Sequence, residues 1–246
     1  MDSSLATGTL LLSLRLGPLL TFAPPFSQLR LPLRVRVVLV LAMAGSLAMI
    51  APATPAGVHW ITAAATELFL GMLLAFGFQA GFAGLDFAGR ALDIQAGYGL
   101  ALVIDPATSN QAPLFGTVLA LVAGLVFFLV GGHLELMRML ALLVKLVPPG
   151  GALTPIAPTR LTAFLGASLL TGLGAIAAPM LALFLVDVAV AYLSRALPQM
   201  NALLIGLQVK TVVTLIVTAT AIGLAGPAIM RLIRQSLEFV PSLVAP

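Results

Sequence analysis

Long stretches of this chain contain no Asp, Glu, Lys or Arg, and that limits the folds open to it more than any other feature. They are Leu16–Leu29, Val37–Val58, Leu68–Leu85, Pro106–Leu134, Leu161–Val186 and Thr211–Met230, with Leu5–Leu14 joined to the first across Arg15. A helix needs about 20 apolar residues to cross roughly 30 Å of hydrocarbon, so these runs predict about six membrane helices. Only 8% of the residues are charged and 61% are hydrophobic, whereas a soluble domain carries about 25% charged residues. So few charges cannot cover a water-facing surface, which argues against a soluble enzyme, and so much apolar surface argues against a disordered tail. The expected fold class is an all-α integral membrane protein, a single membrane domain over residues 1–246.

The 12 basic and 8 acidic residues leave an excess of +4. The basic side chains are scattered singly through apolar sequence and form no patch of the size a duplex needs, so no nucleic-acid partner is expected. Without cysteine there is no disulfide, no thiolate metal site and no cysteine nucleophile. A cleavable signal peptide fits badly, because Asp2 rather than a base precedes the first apolar run. Loop charges normally orient such a protein. Placing Arg30, Arg34 and Arg36 in the cytoplasm and alternating through six spans puts Arg90 and Arg195 on the same side. It also puts Arg138, Lys145, Arg160, Arg231 and Arg234 on the other. Five against five is no bias, so some segments are expected not to span lipid.

Proline punctuates the runs. Pro24-Pro25, Pro52 and Pro55, Pro148-Pro149, and Pro155 and Pro158 read as corners. Pro179 instead lies well inside an apolar run and should kink or split that helix. Gly77 with Gly81, and Ala80 with Gly84, are small-residue pairs four apart, the spacing that lets helices approach closely in lipid.

The segment Gly84–Asp105 is too polar for a span. Within it Asp86, Arg90 and Asp93 fall at i, i+4 and i+7, one acid-base-acid stripe on a helix. It is either a solvated face at the membrane surface or an ion-pair network against another chain, and spacing does not separate the two. Glu67 and Asp187 are the acidic residues closest to apolar helices. An ionisable group within the membrane costs about 2.5–3.5 kcal/mol on insertion scales. Each is therefore an interfacial carboxylate or a group for proton or subunit coupling.

Catalytic and channel patterns are incomplete. His133 and Glu135 form an H-x-E without the cysteines of a deaminase zinc site, and no GK[ST] marks a P-loop. Gly97-Tyr98-Gly99 matches the glycine-tyrosine-glycine of a potassium filter but lacks the preceding Thr-Val. Gly166-Ala167-Ser168 resembles the start of an intramembrane serine-protease motif, yet both histidines precede that serine. No catalytic residue, cofactor or metal ligand is expected.

The most unusual segment is Leu193–Thr211. Pro198-Gln199-Met200-Asn201 follows a helix ending in Ser194-Arg195, and Lys210 then opens another apolar run. This combination resembles the FliR/SctT family, the export-gate subunits of flagellar and injectisome type III secretion. Further positions agree in order along nearly the whole chain. They are Arg15-Leu-Gly-Pro18, Ala23-Pro24-Pro25-Phe26, the basic loop Leu31–Arg36, Glu67 with Gly71, the Asp105-Pro106 that closes the polar segment, Gly131, His133, Pro179 and Asp187. The sequence departs from the family pattern where Ala202-Leu203 follows the turn and where Gln208-Val209 precedes Lys210. The intact Pro-Gln-Met-Asn with Gly206 lies closer to the flagellar branch.

The resemblance implies a non-enzymatic subunit of a closed helical cone built from broken helical hairpins, much of it raised out of the bilayer. Its partners would be P-type and Q-type subunits (FliP-like and FliQ-like) and an FlhB-like switch subunit. It would sit among membrane lipid in the bacterial inner membrane at the flagellar basal body, passing unfolded flagellar proteins. Helices packed on protein need not obey loop-charge rules. In the family a loop after the polar segment contributes a plug; the match here is residues 105–115, with Asp105, Pro106, Ser109 and Asn110 able to reorder and Leu114 and Phe115 forming an apolar seal, whereas composition alone reads the same residues as a plain connecting loop. Glu67, Asp86, Arg90, Asp93 and Asp187 become candidate subunit-contact or coupling charges. The alternative is a secondary transporter using Glu67 or Asp187, although no internal repeat supports it.

Overall fold

The computed structural model describes residues 3–29, 31–52, 59–98, 114–151, 153, 155–196 and 202–244. All regular structure among them is helical: α1 (Ser3–Phe22), α2 (Leu33–Ala48), α3 (Trp60–Ala96), α4 (Leu114–Leu129), α5 (Gly132–Leu146), α6 (Pro158–Ala175), α7 (Ala177–Ala196), α8 (Ala202–Leu224) and α9 (Gly226–Val244). The apolar runs thus form helices, as expected, but not six uninterrupted spans. Among the described residues three helices are long and apolar enough to cross a membrane: Leu5–Phe22, Trp60–Ala96 and Ala177–Ala196. A fourth span is possible if α4 and α5, bent by 72° to one another, count as one broken span.

Each interruption has a local cause. Between α4 and α5 Gly131 takes φ +75°, a left-handed conformation that a Cβ disfavours. The run Leu161–Val186 is cut at Ile176, and Pro179 stands in the first turn of α7. There its missing N–H is one of the four that a helix start leaves unpaired anyway. The third apolar run to break does so at Ala225, whose carbonyl accepts from both Ala228 and Ile229. Arg15, by contrast, interrupts nothing: α1 runs straight through it.

The chain divides into two compact units. One comprises residues 1–81, 124–166 and 233–246, the other 82–123 and 167–232. In the first, α1 and α2 pack along each other, and the core holds Leu12, Leu16, Leu19, Leu70, Leu74, Phe78, Phe127, Leu136 and Leu140. Phe127 meets Phe26, Phe78 and Phe128 edge to face, and Phe164 stacks on Phe239 with ring centroids 4.0 Å apart. In the second unit α7 and α8 pair. The buried side chains there include Leu85, Ala88, Leu92, Phe115, Leu119 and Leu183.

Glycines on α3 seat its neighbours. A Cβ on Gly71 would stand 2.4 Å from the Arg15 carbonyl oxygen of α1, and one on Gly77 would press on Phe239 of α9 at 3.1 Å. In the second unit a Cβ on Gly84 would come 2.3 Å from the Ser168 oxygen of α6, and one on Gly89 would come 2.1 Å from the Gly116 nitrogen of α4. Gly77 and Gly84 both belong to the small-residue pairs read from the sequence. At Gly71, Gly84 and Gly89 the neighbour is backbone, and an approach this close excludes any larger residue.

Candidate functional site

Two ionic junctions stand out in a chain with so few charges. The first is buried in the first unit. Arg15 of α1 and Glu67 of α3, each with its side chain 1% exposed, form a two-pronged pair. Nε donates to Oε2 at 2.6 Å and Nη2 to Oε1 at 2.9 Å. Nη2 also donates to the Val147 carbonyl at 3.0 Å, and the Gly150 N–H donates to Glu67 Oε1 at 2.9 Å. Arginine matches a carboxylate bidentately, and the backbone groups satisfy capacity that would otherwise be stranded. One pair therefore ties α1, α3 and the turn after α5.

The second junction lies in the other unit. Lys210 of α8 pairs with Asp187 of α7 at 2.5 Å, the lysine 19% and the aspartate 42% exposed. Lys210 Nζ also reaches the Gln95 carbonyl at 3.3 Å, in the last turn of α3, where helix carbonyls lack partners and carry partial negative charge. Gln95 in turn donates from its side chain to the Met180 carbonyl of α7 at 3.0 Å. The end of α3 is closed by Gly97 at φ +93°, with Tyr98 N–H on the Asp93 carbonyl and Gly97 N–H on that of Ile94. That is a left-handed helix stop, so Gly97-Tyr98 caps a helix.

The stripe Asp86, Arg90, Asp93 divides. Asp86 and Arg90 pair on the surface at 2.9 Å, whereas Asp93 is 8% exposed. Asp93 Oδ1 accepts the Phe115 N–H at 3.3 Å, and Oδ2 has no partner. Phe115 is the second residue of α4, so a carboxylate on α3 caps the start of another helix. Tyr98 and Phe115 rings meet beside it at 6.0 Å. Of the proposed apolar seal, Phe115 is buried and Leu114 exposed.

Asp105, Pro106, Ser109 and Asn110, and the family-signature residues Pro198, Gln199, Met200 and Asn201, lie outside the described residues. The helices on either side of both segments are described. Sequence reasoning treated Lys210 and Asp187 separately, and the structure brings them together. It missed the Arg15–Glu67 pair, although a lone base and a lone acid in separate apolar helices are a usable signal for pairing. Gln95, Val147 and Gly150 gave no signal, since their roles rest on backbone groups. Among the described residues no group of three or more His, Asp or Glu is placed to hold a metal ion. An open cavity of about 610 Å³ in the second unit is lined by Leu170, Thr171, Gly174, Ala225, Ala228 and Arg231 among others.

The family model for bacterial export proteins, family 1, matches residues 6–236. The flagellar biosynthetic protein FliR of Escherichia coli (strain K12) is 27% identical over 244 residues, covering 94% of this chain and 90% of that protein. The protein of the same name from Bacillus subtilis (strain 168) is also 27% identical, over 192 residues, 76% of this chain and 74% of its own length. The family match takes in both ionic junctions, the polar segment and the Pro-Gln-Met-Asn sequence, and this chain belongs to the bacterial export proteins, family 1.

Proposed function

We propose that the chain is a subunit of the flagellar type III protein export gate, acting as a structural part of the conduit for unfolded flagellar proteins rather than as an enzyme. The family match across residues 6–236 carries this reading, together with relatives that are both flagellar biosynthetic proteins. The architecture supports it: helices broken at Gly131, Ile176 and Ala225, and a single α3 of 37 residues. At 1.5 Å per residue α3 is about 55 Å long, well beyond the roughly 30 Å of a bilayer core. A helix of that length suits a subunit that rises out of the membrane among protein neighbours.

The work of this subunit would be positional. P-type and Q-type subunits and an FlhB-like switch subunit would complete the cone in the inner membrane at the flagellar basal body. Residues 105–115 would form its plug, held at one end by the Asp93–Phe115 contact. The carboxylates that small-solute transport would need are both engaged within the chain, Glu67 by Arg15 and Asp187 by Lys210.

Co-expression with P-type and Q-type partners, a tag on this chain alone and native mass spectrometry of the detergent extract tests the reading. One large complex containing a single copy of this chain is expected, and deletion of the gene should abolish motility. A stable monomer that ignores those partners, or a motile deletion strain, would overturn it.

A further inference from the structure

Helix α4 contains no charged residue and exposes Leu121, Leu125 and Leu129 along one face. Helix α5 turns away from it by 72° and has a different surface. Its buried side is apolar, made of Leu136, Met139, Leu140, Leu143 and Val144. At about 100° per residue Glu135, Arg138 and Lys145 fall within about 80° of one another on the opposite side. Arg138 and Glu135 pair there with side chains 73% and 55% exposed, and Lys145 is exposed. The exposed Leu134 and Leu146 border this charged stripe, one on each side, and Leu142 lies within it.

The bend is fixed at both ends of α5. Gly131 takes a left-handed φ, and a Cβ on Gly132 would come 2.5 Å from the Phe127 ring, so this turn packs as only glycine allows. Beyond the last turn, the Val147 carbonyl and the Gly150 N–H bind the buried Arg15–Glu67 pair. α5 is thus held across α4 and not in line with it. Were it to continue a crossing begun by α4, charges spread over about 15 Å of its outer face would stand in hydrocarbon, where an ionised side chain is expensive. A charged stripe of both signs edged by exposed leucines is instead the surface of a helix at the boundary between hydrocarbon and water.

We propose that α5 does not cross the membrane but lies along its surface, with its outer face against the lipid headgroups and both of its ends on the same side. Glu135, Arg138 and Lys145 meet water and headgroup charges of either sign, while Leu134 and Leu146 dip towards the acyl chains. Gly131 marks the point where the chain leaves the bilayer. The placement rests on α4 and α5 alone and is independent of the export reading.

The chain has no cysteine, so Leu134→Cys, Leu142→Cys, Leu146→Cys and Leu125→Cys each introduce one thiol. Each full-length variant is expressed with its partner subunits, and a membrane-impermeant maleimide is applied to spheroplasts and to inverted vesicles, labelling being read on this chain after purification. The three α5 positions should label from the same side, and Leu125→Cys should label at least about tenfold more slowly from either side, because the reacting thiolate needs water. Nitroxides at positions 134 and 146, about 18 Å apart along the helix, should report depths within about 10 Å of each other and collide with both dissolved oxygen and a nickel chelate. Labelling of positions 134 and 146 from opposite sides would make α5 a crossing helix and overturn the proposal. No labelling at any of the three would mean a protein cover, and nickel collisions as frequent as in free solution would place α5 off the membrane; either overturns it too. With three positions on α5, the comparison of sides stands if one variant fails to accumulate.

Discussion

Removing one partner of the Arg15–Glu67 pair should be the most damaging single change available among the charged residues. In Glu67→Gln the carboxylate that receives two guanidinium bonds and the Gly150 N–H becomes a neutral amide. Arg15 is then left charged with its side chain 1% exposed. Breaking a buried pair in this way costs about 3–5 kcal/mol, because the remaining charge is stranded. The comparison that isolates this cause is the double replacement Arg15→Met/Glu67→Met, which removes both charges and keeps comparable volume. Buried pairs exchanged for apolar residues are often neutral or stabilising, so the double variant should recover most of the loss. The assay is thermal unfolding of the purified export complex, followed by the fluorescence of Trp60, backed by steady-state levels of the chain in membranes. Against a total stability of about 5–15 kcal/mol, the single variant should be depleted and the double one restored. A single variant within about 0.5 kcal/mol of wild type, or a double variant no better than the single, would refute the reasoning.

Gly84→Ala places a Cβ 2.3 Å from the Ser168 oxygen and should destabilise by about 1–3 kcal/mol through overpacking; Gly174→Ala meets open space and should be silent in the same unfolding assay. Lys210→Met should lower stability by no more than about 1 kcal/mol, because Asp187 is 42% exposed and partly screened, and exchanging the two residues as Asp187→Lys/Lys210→Asp should restore swimming on soft agar. Asp93→Ala removes the cap on α4, a loss of about 1 kcal/mol, and should show as faster hydrogen exchange at the Phe115 amide with no change in the last turn of α4. Uniform exchange along α4 would contradict the capping role.

What could be read from residues alone depended on whether the cause was local. Pro179, with no N–H to give, fits a helix best in its first turn, and α7 begins two residues before it. The charge-free runs read as helical because a helix satisfies its own backbone polar groups within one segment and needs about 20 apolar residues to cross lipid, twice the length of a barrel strand. Yet the fates of Asp86, Arg90 and Asp93 were not separable, since their common face says nothing about what covers each turn. α4 covers only the last, so two are solvated and one is a buried cap. The pairing of Arg15 with Glu67 spans 52 positions and no periodicity encodes it. Counting spans failed for a similar reason: a break at Gly131 or Ala225 depends on one backbone conformation inside an otherwise uniform apolar run. Pro198–Asn201, which carry the resemblance to the export family most strongly, and Asp105 fall outside the described residues, and there the family match is what supports the reading.

The distribution of special residues follows from the solvent. In water, burying leucine drives helices together, but in hydrocarbon a leucine gains little by leaving lipid for protein, so it cannot say which helices should touch. Specificity must then come from contacts that lipid cannot imitate. Two kinds are present: backbone approaches that only glycine permits, at Gly71, Gly84, Gly89 and Gly172, and opposite charges that neutralise each other, at Arg15–Glu67 and Lys210–Asp187. Each of the two units holds both kinds, and in each the ion pair joins two different helices. The many leucines and valines between them set the solvent in which the chain folds, while these few positions choose among the packings that such a solvent allows. Substitutions among apolar residues on the exposed arcs of α2 and α7 should accordingly be tolerated, and a single methyl group at Gly84 should not.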